Sequence, residues 1–181
     1  MIQKRQKHQV ILLIFAFCFS LLFNISAKTK EKPNVVFFLI DDWGWKDAGC
    51  QGSTFYETPN IDKLAENGVR FTNAYAAHSK CIASRLSILT GKYPARLKCP
   101  GKESTLPIAD VSLAEAFKAN GYATFFTGKW HLGAGVKSPE NQGFDINKGG
   151  GKNGMPATYY FPYQKEGSKA NVYGLEDGAD G

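Results

Sequence analysis

Asn34-Val35-Val36-Phe37-Phe38-Leu39-Ile40-Asp41-Asp42 is the stretch on which the reading of the fold turns. Residues 35–40 are apolar throughout, rich in β-branched and aromatic side chains, and show no alternation with polar ones. A strand with one wet face alternates, whereas a continuous run is the pattern of a strand covered on both faces, as in a parallel sheet. The run stops at two carboxylates, and Gly44 just beyond them allows a sharp turn. Downstream, Thr58 and Pro59 suit an N-cap and a first helical position. Ile61, Leu64 and Ala65 follow at helical spacing and Gly68 is a good stop, which predicts a helix over residues 58–67. Residues 69–76 read as extended. Ile82, Leu86 and Leu89 share a helical face on a segment that starts at Cys81 and ends at Gly91. Ser112-Leu113-Ala114-Glu115 is a capping-box pattern; Leu113, Ala116 and Phe117 supply an apolar stripe, and Gly121 closes that helix. Residues 122–127 form the next predicted strand, running into Gly128-Lys129-Trp130-His131. Strands separated by helices of this length imply parallel pairing and an α/β layered fold. From Gly143 onward the periodicity fades into loops, with one short strand expected around residues 158–160.

The chain has 181 residues, 43% hydrophobic and 21% charged, which suits a globular domain and excludes a disordered, collagenous or disulfide mini-protein class. Its start has the order of parts of a secretory signal: Lys4, Arg5 and Lys7, then an apolar run over residues 10–23, then Ile25-Ser26-Ala27. The run is shorter than the roughly 20 residues of a spanning helix, so residues 1–27 read as a cleaved signal peptide and no stable membrane anchor is expected. The protein is therefore expected to be exported, to a periplasm or the exterior. Cleavage removes three basic side chains and with them half of the formal charge of +6. Arg70, Arg85 and Arg96 are the arginines that remain, the lysines are scattered, and no basic tract is interleaved with aromatics, so nucleic acid is not an expected partner. Of four cysteines Cys18 leaves with the signal, and three remain in a compartment that permits disulfides.

In open α/β sheets ligands bind beyond the carboxyl ends of strands. Asp41 and Asp42 occupy one such end. Adjacent carboxylates repel unless a cation lies beside them, and an all-oxygen pair suits Ca²⁺ or Mg²⁺ better than Zn²⁺; a solvated turn would show the same two residues. Lys129 and His131 occupy the other end, two residues apart, and in extended backbone they project to the same side. Cys81 and Arg85 lie at i and i+4, stacked on one helix face with the cysteine at the positive end of the helix dipole. That arrangement suits an oxyanion, while a half-cystine and a surface ion pair are the plainer readings of the two residues.

Cys81-Ile82-Ala83-Ser84-Arg85, followed by Leu86-Ser87-Ile88-Leu89-Thr90-Gly91, resembles the sulfatase signature, in which the cysteine of a Cys-x-Pro/Ala-x-Arg core is oxidised to formylglycine. The likeness extends over residues 32–145. Residues 34–42 resemble the family's opening strand and metal-binding aspartate pair, Thr58-Pro59-Asn60-Ile61-Asp62-Lys63-Leu64-Ala65 its first helix, Gly128-Lys129-Trp130-His131-Leu132-Gly133 its second active-site segment, and Gly143-Phe144-Asp145 also fits. Ala83 stands where proline is commoner. The resemblance implies an alkaline-phosphatase-like layered α/β fold with a mostly parallel central sheet, incomplete in this chain.

The resemblance also implies roles. Cys81, converted by a formylglycine-generating or sulfatase-maturing enzyme, would act as an aldehyde hydrate whose one hydroxyl attacks the sulfur of a sulfate ester and whose other expels sulfate afterwards. Asp41, Asp42 and residue 81 would hold Ca²⁺, in preference to Mg²⁺, to draw charge off the sulfate oxygens. Arg85 would hold the formylglycine side and the metal-site carboxylates. Lys129 would bind a sulfate oxygen and His131 would assist deprotonation of the nucleophile. Cys50 and Cys99 are then left as a disulfide or as two free thiols. The substrate implied is a sulfate ester, foremost of a sulfated carbohydrate.

Other motifs fail. Gly149-Gly150-Gly151-Lys152 lacks the upstream glycine and hydroxyl residue of a phosphate-binding loop, and neither His-Glu-x-x-His nor Gly-x-Ser-x-Gly occurs. A thiol hydrolase built on His78 and Cys81 would leave Arg85 and the aspartate pair without a role. Trp43, Trp45 and the aromatics of residues 159–163 could stack on sugar rings, but aromatics in such loops more often serve packing. Two alternatives stay open: a phosphodiesterase or phosphonate monoester hydrolase of the same superfamily, and a non-catalytic sulfated-glycan-binding protein. Sulfatases are considerably longer and draw further metal and sulfate ligands from downstream, so residues 28–181 are expected to be the N-terminal part of a catalytic domain, inactive alone.

Overall fold

The structure, a computed structural model, describes residues 31–101, 104–172 and 174–175. The expected signal peptide lies outside them. Among the described residues no helix is long and apolar enough to cross a membrane. The chain divides into two units, Met1–Ile40 and Asp41–Gly181.

In the first unit the described residues 31–40 contain no strand, which corrects the reading of the opening run. Val36 is 75% and Phe38 81% exposed. A strand covered on both faces needs neighbours on both edges, and the single sheet of the described residues is two-stranded and lies elsewhere.

The second unit is built on three helices and two short strands: α1 (Pro59–Asn67), α2 (Cys81–Thr90), α3 (Leu113–Ala119), β1 (Phe125–Thr127) and β2 (Ile146–Lys148). Short 3₁₀ turns at Gly49–Gln51, Pro94–Leu97, Gly135–Lys137 and Pro139–Gln142 fill the connections. Helix α1 starts at Pro59, but Thr58 does not cap it. Its hydroxyl instead accepts the Gly49 N–H at 2.8 Å and donates to Asp62, which ties the helix to the turn before it. Residues 69–76 are irregular, with a turn at Thr72 and Asn73, rather than extended. Helix α2 ends as expected on Gly91, whose φ of 65° lets its N–H reach the Ser87 carbonyl. Helix α3 carries the full capping box: Ser112 Oγ accepts the Glu115 N–H and the Glu115 carboxylate accepts the Ser112 N–H. It ends at Asn120, one residue before Gly121.

Strands β1 and β2 pair in parallel, with Phe125 opposite Ile146, Phe126 opposite Asn147 and Thr127 opposite Lys148. Thr124 and Asp145 lock their starts together. The Asp145 carboxylate accepts the Thr124 N–H at 2.9 Å, and the Asp145 and Ile146 N–H groups both donate to the Thr124 carbonyl. Strand β2 falls where loops were expected. The strand expected at residues 158–160 is instead a bend in which the Thr158 hydroxyl accepts the Tyr160 N–H. Cys50 and Cys99 are free thiols, the first half-buried and the second buried, so the disulfide alternative falls.

The core gathers Ala83, Leu86, Cys99, Leu106, Trp130 and Leu132, with Phe126 and Phe144 packed against it. Phe126, Trp130 and Phe144 meet edge to face, with centroids 5.2–6.0 Å apart. Trp130 is 1% exposed and its indole N–H donates to the Lys137 carbonyl, so truncation to alanine costs about 3–5 kcal/mol. Packing α2 on the segment around Trp130 has a functional result: it brings Cys81 and Arg85 to Lys129 and His131.

Candidate active site

Cys81 is the first residue of α2, half-buried, at the end where the unpaired backbone N–H groups give the helix its partial positive charge. Arg85, one turn further on, faces inward with only 8% of its surface exposed. A buried guanidinium needs acceptors. One terminal nitrogen donates to the Lys129 carbonyl and the other to Asp41 Oδ1 at 3.2 Å. Its Nε has no acceptor among the described residues. Lys129 closes the group, its ammonium 2.5 Å from Asp41 Oδ2. Burial pushes the Asp41 carboxyl up, and hydrogen bonds and charge from Lys129 and Arg85 more than offset this, leaving it below its ordinary value.

His131 faces Cys81, with Nδ1 3.5 Å from Sγ. Its φ is 64°, so residues 129–131 do not follow the alternation of a strand. Lys129 and His131 reach one site because the backbone turns between them, and the expected projection from extended backbone is corrected on that point. The His131 N–H donates to the Gly151 carbonyl at 3.0 Å, and Gly154 lies against the imidazole. Burial, then the charges of Lys129 and Arg85, hold the imidazole below its ordinary pKa against the opposing pull of Asp41.

Five of the six residues named from the sequence thus converge: Asp41, Cys81, Arg85, Lys129 and His131. Asp42 follows Asp41 with φ at 55°, and no hydrogen bond or ion pair joins it to the other five among the described residues. Gly151 and Gly154 were not anticipated as parts of the site. The glycine-rich stretch from Gly149 to Gly154 was the available signal, since glycine marks places where backbone approaches another group closely.

The donor set suits a hard cation in kind, with two adjacent carboxylates. It falls short in number: among the described residues no three His, Cys, Asp or Glu side chains are placed to hold a metal ion together. Both oxygens of Asp41 are engaged by Arg85 and Lys129. Two carboxylates alone are fewer donors than a hard cation takes.

The model of the sulfatase family matches residues 33–177. The chain belongs to the sulfatase family. Human arylsulfatase A is 40% identical over 136 residues, 69% of this chain and 27% of that protein. The N-acetylgalactosamine-6-O-sulfatase of Bacteroides thetaiotaomicron is 42% identical over 127 residues, 67% of this chain and 24% of that protein. Among solved structures, Ps i-CgsB superposes with a TM-score of 0.61 at 35% identity, covering 66% of this chain and 28% of that one. It has also been crystallised with k-i-k-neocarrahexaose. This sulfatase chain spans about a quarter of the length of the curated relatives it matches. Its α/β class is the alkaline-phosphatase-like one of its sulfatase neighbours.

Proposed function

We propose that the whole protein is an exported sulfuric ester hydrolase acting on a sulfated carbohydrate. In this reading residues 1–27 are a cleaved signal and residues 28–181 form the nucleophile-bearing N-terminal part of the catalytic domain. The observation that carries it is the convergence of Cys81, Arg85, Lys129, His131 and Asp41 in a chain of this family.

Residue 81 is the nucleophile once a sulfatase-maturing enzyme has oxidised Cys81 to formylglycine. One hydroxyl of the aldehyde hydrate attacks sulfur as the S–O bond to the substrate alcohol breaks and the alcohol leaves with a proton; the second hydroxyl then loses its proton, the carbonyl reforms and sulfate is expelled, a release step that an ordinary serine ester lacks. His131, with Nδ1 3.5 Å from the residue 81 side chain, takes the proton from the attacking hydroxyl. Its lowered pKa keeps it neutral, and so able to accept one, near pH 7. Lys129 meets a sulfate oxygen with its ammonium. Arg85 holds Asp41 and the Lys129 backbone in fixed relation to α2, so that the positive groups need little rearrangement when substrate arrives. Ca²⁺, in preference to Mg²⁺, would be held by Asp41, Asp42 and residue 81 together with ligands from outside the described residues, and would supply further positive charge to the sulfate.

The test is turnover of 4-nitrophenyl sulfate by the full-length protein, co-expressed with a maturing enzyme. Hydrolysis lost in Cys81→Ala and on chelation of divalent ions is expected. Preferential cleavage of aryl phosphate or phosphonate esters would reassign the protein to phosphoryl transfer, and binding of sulfated glycan without any turnover would make it a binding protein.

A further inference from the structure

A cavity of about 790 Å³ borders the site, within the size range of small-ligand pockets. Its wall begins at Gly133, two residues past His131, and includes Gly151, whose carbonyl accepts the His131 N–H. The wall contains no aromatic side chain among the described residues. Its amides are committed to building it. Asn141 donates to the Gly135 carbonyl, Asn153 to the Lys169 carbonyl and Gln164 to the Val172 carbonyl, at 2.6–2.9 Å. Asn147 accepts the Gly150 N–H and donates to Glu140, so the one carboxylate of the lining is engaged as well. These bonds tie successive loop segments to one another and set the shape of the cavity before anything enters it.

Lys152 and Lys169 are the charged groups left over. Both line the cavity, both are exposed, and neither forms an ion pair among the described residues. A preformed polar cavity whose uncommitted charges are two ammonium groups favours an oxyanion carried on a polar body over an apolar or cationic ligand.

We propose that this cavity is a second sulfate subsite, which takes a further sulfate group of the substrate whose scissile ester lies at residue 81. The inference rests on the sulfatase reading and sharpens it: the preferred substrate is multiply sulfated, and Lys152 and Lys169 select it without taking part in the chemistry.

Titration calorimetry of the full-length protein with sucrose octasulfate, which carries many sulfates and no carboxylate, tests this. The double variant Lys152→Ala/Lys169→Ala is expected to bind the probe about tenfold more weakly than the wild type, in line with loss of charge-assisted contacts. A control of equal charge change on exposed lysines outside the cavity wall, Lys63→Ala/Lys98→Ala, is expected to lose less than about twofold, the size of a general, screened field effect. KM for 4-nitrophenyl sulfate, which has one sulfate, should be unchanged, and thermal melting should match in all three proteins. Equal losses in the two double variants would overturn the subsite, as would an absence of binding to the wild type. A KM for 4-nitrophenyl sulfate that rises in step with the calorimetric loss would also overturn it, by placing the lysines in the scissile-sulfate pocket. Failure of the sulfatase reading looks different: the wild type then turns over no aryl sulfate, whatever the calorimetry gives.

Discussion

A methyl group at position 154 has no room. Placed on Gly154 it would lie 2.6 Å from Cε1, 2.9 Å from Nε2 and 3.0 Å from Nδ1 of His131. The Gly154 backbone is outside the left-handed region, so alanine can adopt it, and what has to yield is the ring. If the full-length protein has the proposed activity, Gly154→Ala should therefore lower its kcat roughly 10- to 100-fold, as small misplacements of a reacting group do, while KM changes less than about twofold and Tm stays within a few degrees. Steady-state kinetics with a melting curve checks this, and an unchanged kcat would show that the imidazole position is not critical. The contrast between Gly154 and its neighbours in the site shows what could be read from the chain alone. Cys81, Arg85, Lys129, His131 and Asp41 stand out because they are reactive and charged side chains that fall within the motifs by which the sequence resembles the family. Gly154 does not, because its part depends on which ring the fold lays against it. Asp42 shows the converse: its carboxylate suggests a ligand, yet among the described residues nothing joins it to the other five.

Helices were more legible than strands, of which the one expected over residues 122–127 survives as β1 at Phe125–Thr127, and the reason lies in where each gets its bonds. The capping box of α3 is settled within four residues, and Ser112 and Glu115 satisfy each other whatever the rest of the chain does. Ser112→Ala should cost about 1–2 kcal/mol in urea unfolding, since the cap is lost together with the buried bond from the Ser112 hydroxyl to the Gln142 carbonyl. A strand depends on a partner distant in sequence. Residues 34–40 have strand composition without a partner among the described residues. Residues 146–148 have weak strand composition and pair because Thr124 and Asp145 hold them beside β1. The Asp145 carboxyl is pulled down to about 2, by the Lys118 hydrogen bond first and by those from Thr124 next. A depressed carboxyl stabilises the fold above its unfolded value near 3.8, and that contribution disappears as the pH falls through about 2. Asp145→Asn should thus lower Tm at pH 6, and the gap from the wild type should narrow steadily once the pH drops below about 4. A gap independent of pH would mean that the charge of Asp145 has no part in holding β1 to β2.

On the scale of the whole molecule, the described chain leaves much apolar surface open. Val69, Phe71 and Tyr75 are 77–88% exposed, more than a folded protein usually leaves in one short stretch. The chain spans about a quarter of its curated relatives, and no three His, Cys, Asp or Glu side chains among the described residues are placed to hold a metal ion. Both facts are what the proposed reading of residues 28–181 as part of a larger catalytic domain expects. Expressed alone, that segment should bind a hydrophobic dye strongly and hydrolyse no aryl sulfate with or without Ca²⁺; Ca²⁺-dependent turnover by the isolated segment would refute the division. The family was legible in the sequence because its motifs are short and lie at fixed chain positions. The shape of the site was not, because it depends on which backbone the fold lays against His131, as Gly151 and Gly154 are. The central claim, that residue 81 is a formylglycine nucleophile, rests on one side chain and can be read directly. Mass spectrometry of the peptide containing residue 81, from protein made in its native host, should find one sulfur and two hydrogens replaced by one oxygen. A quantitatively intact, alkylatable Cys81 thiol in that peptide would contradict the account.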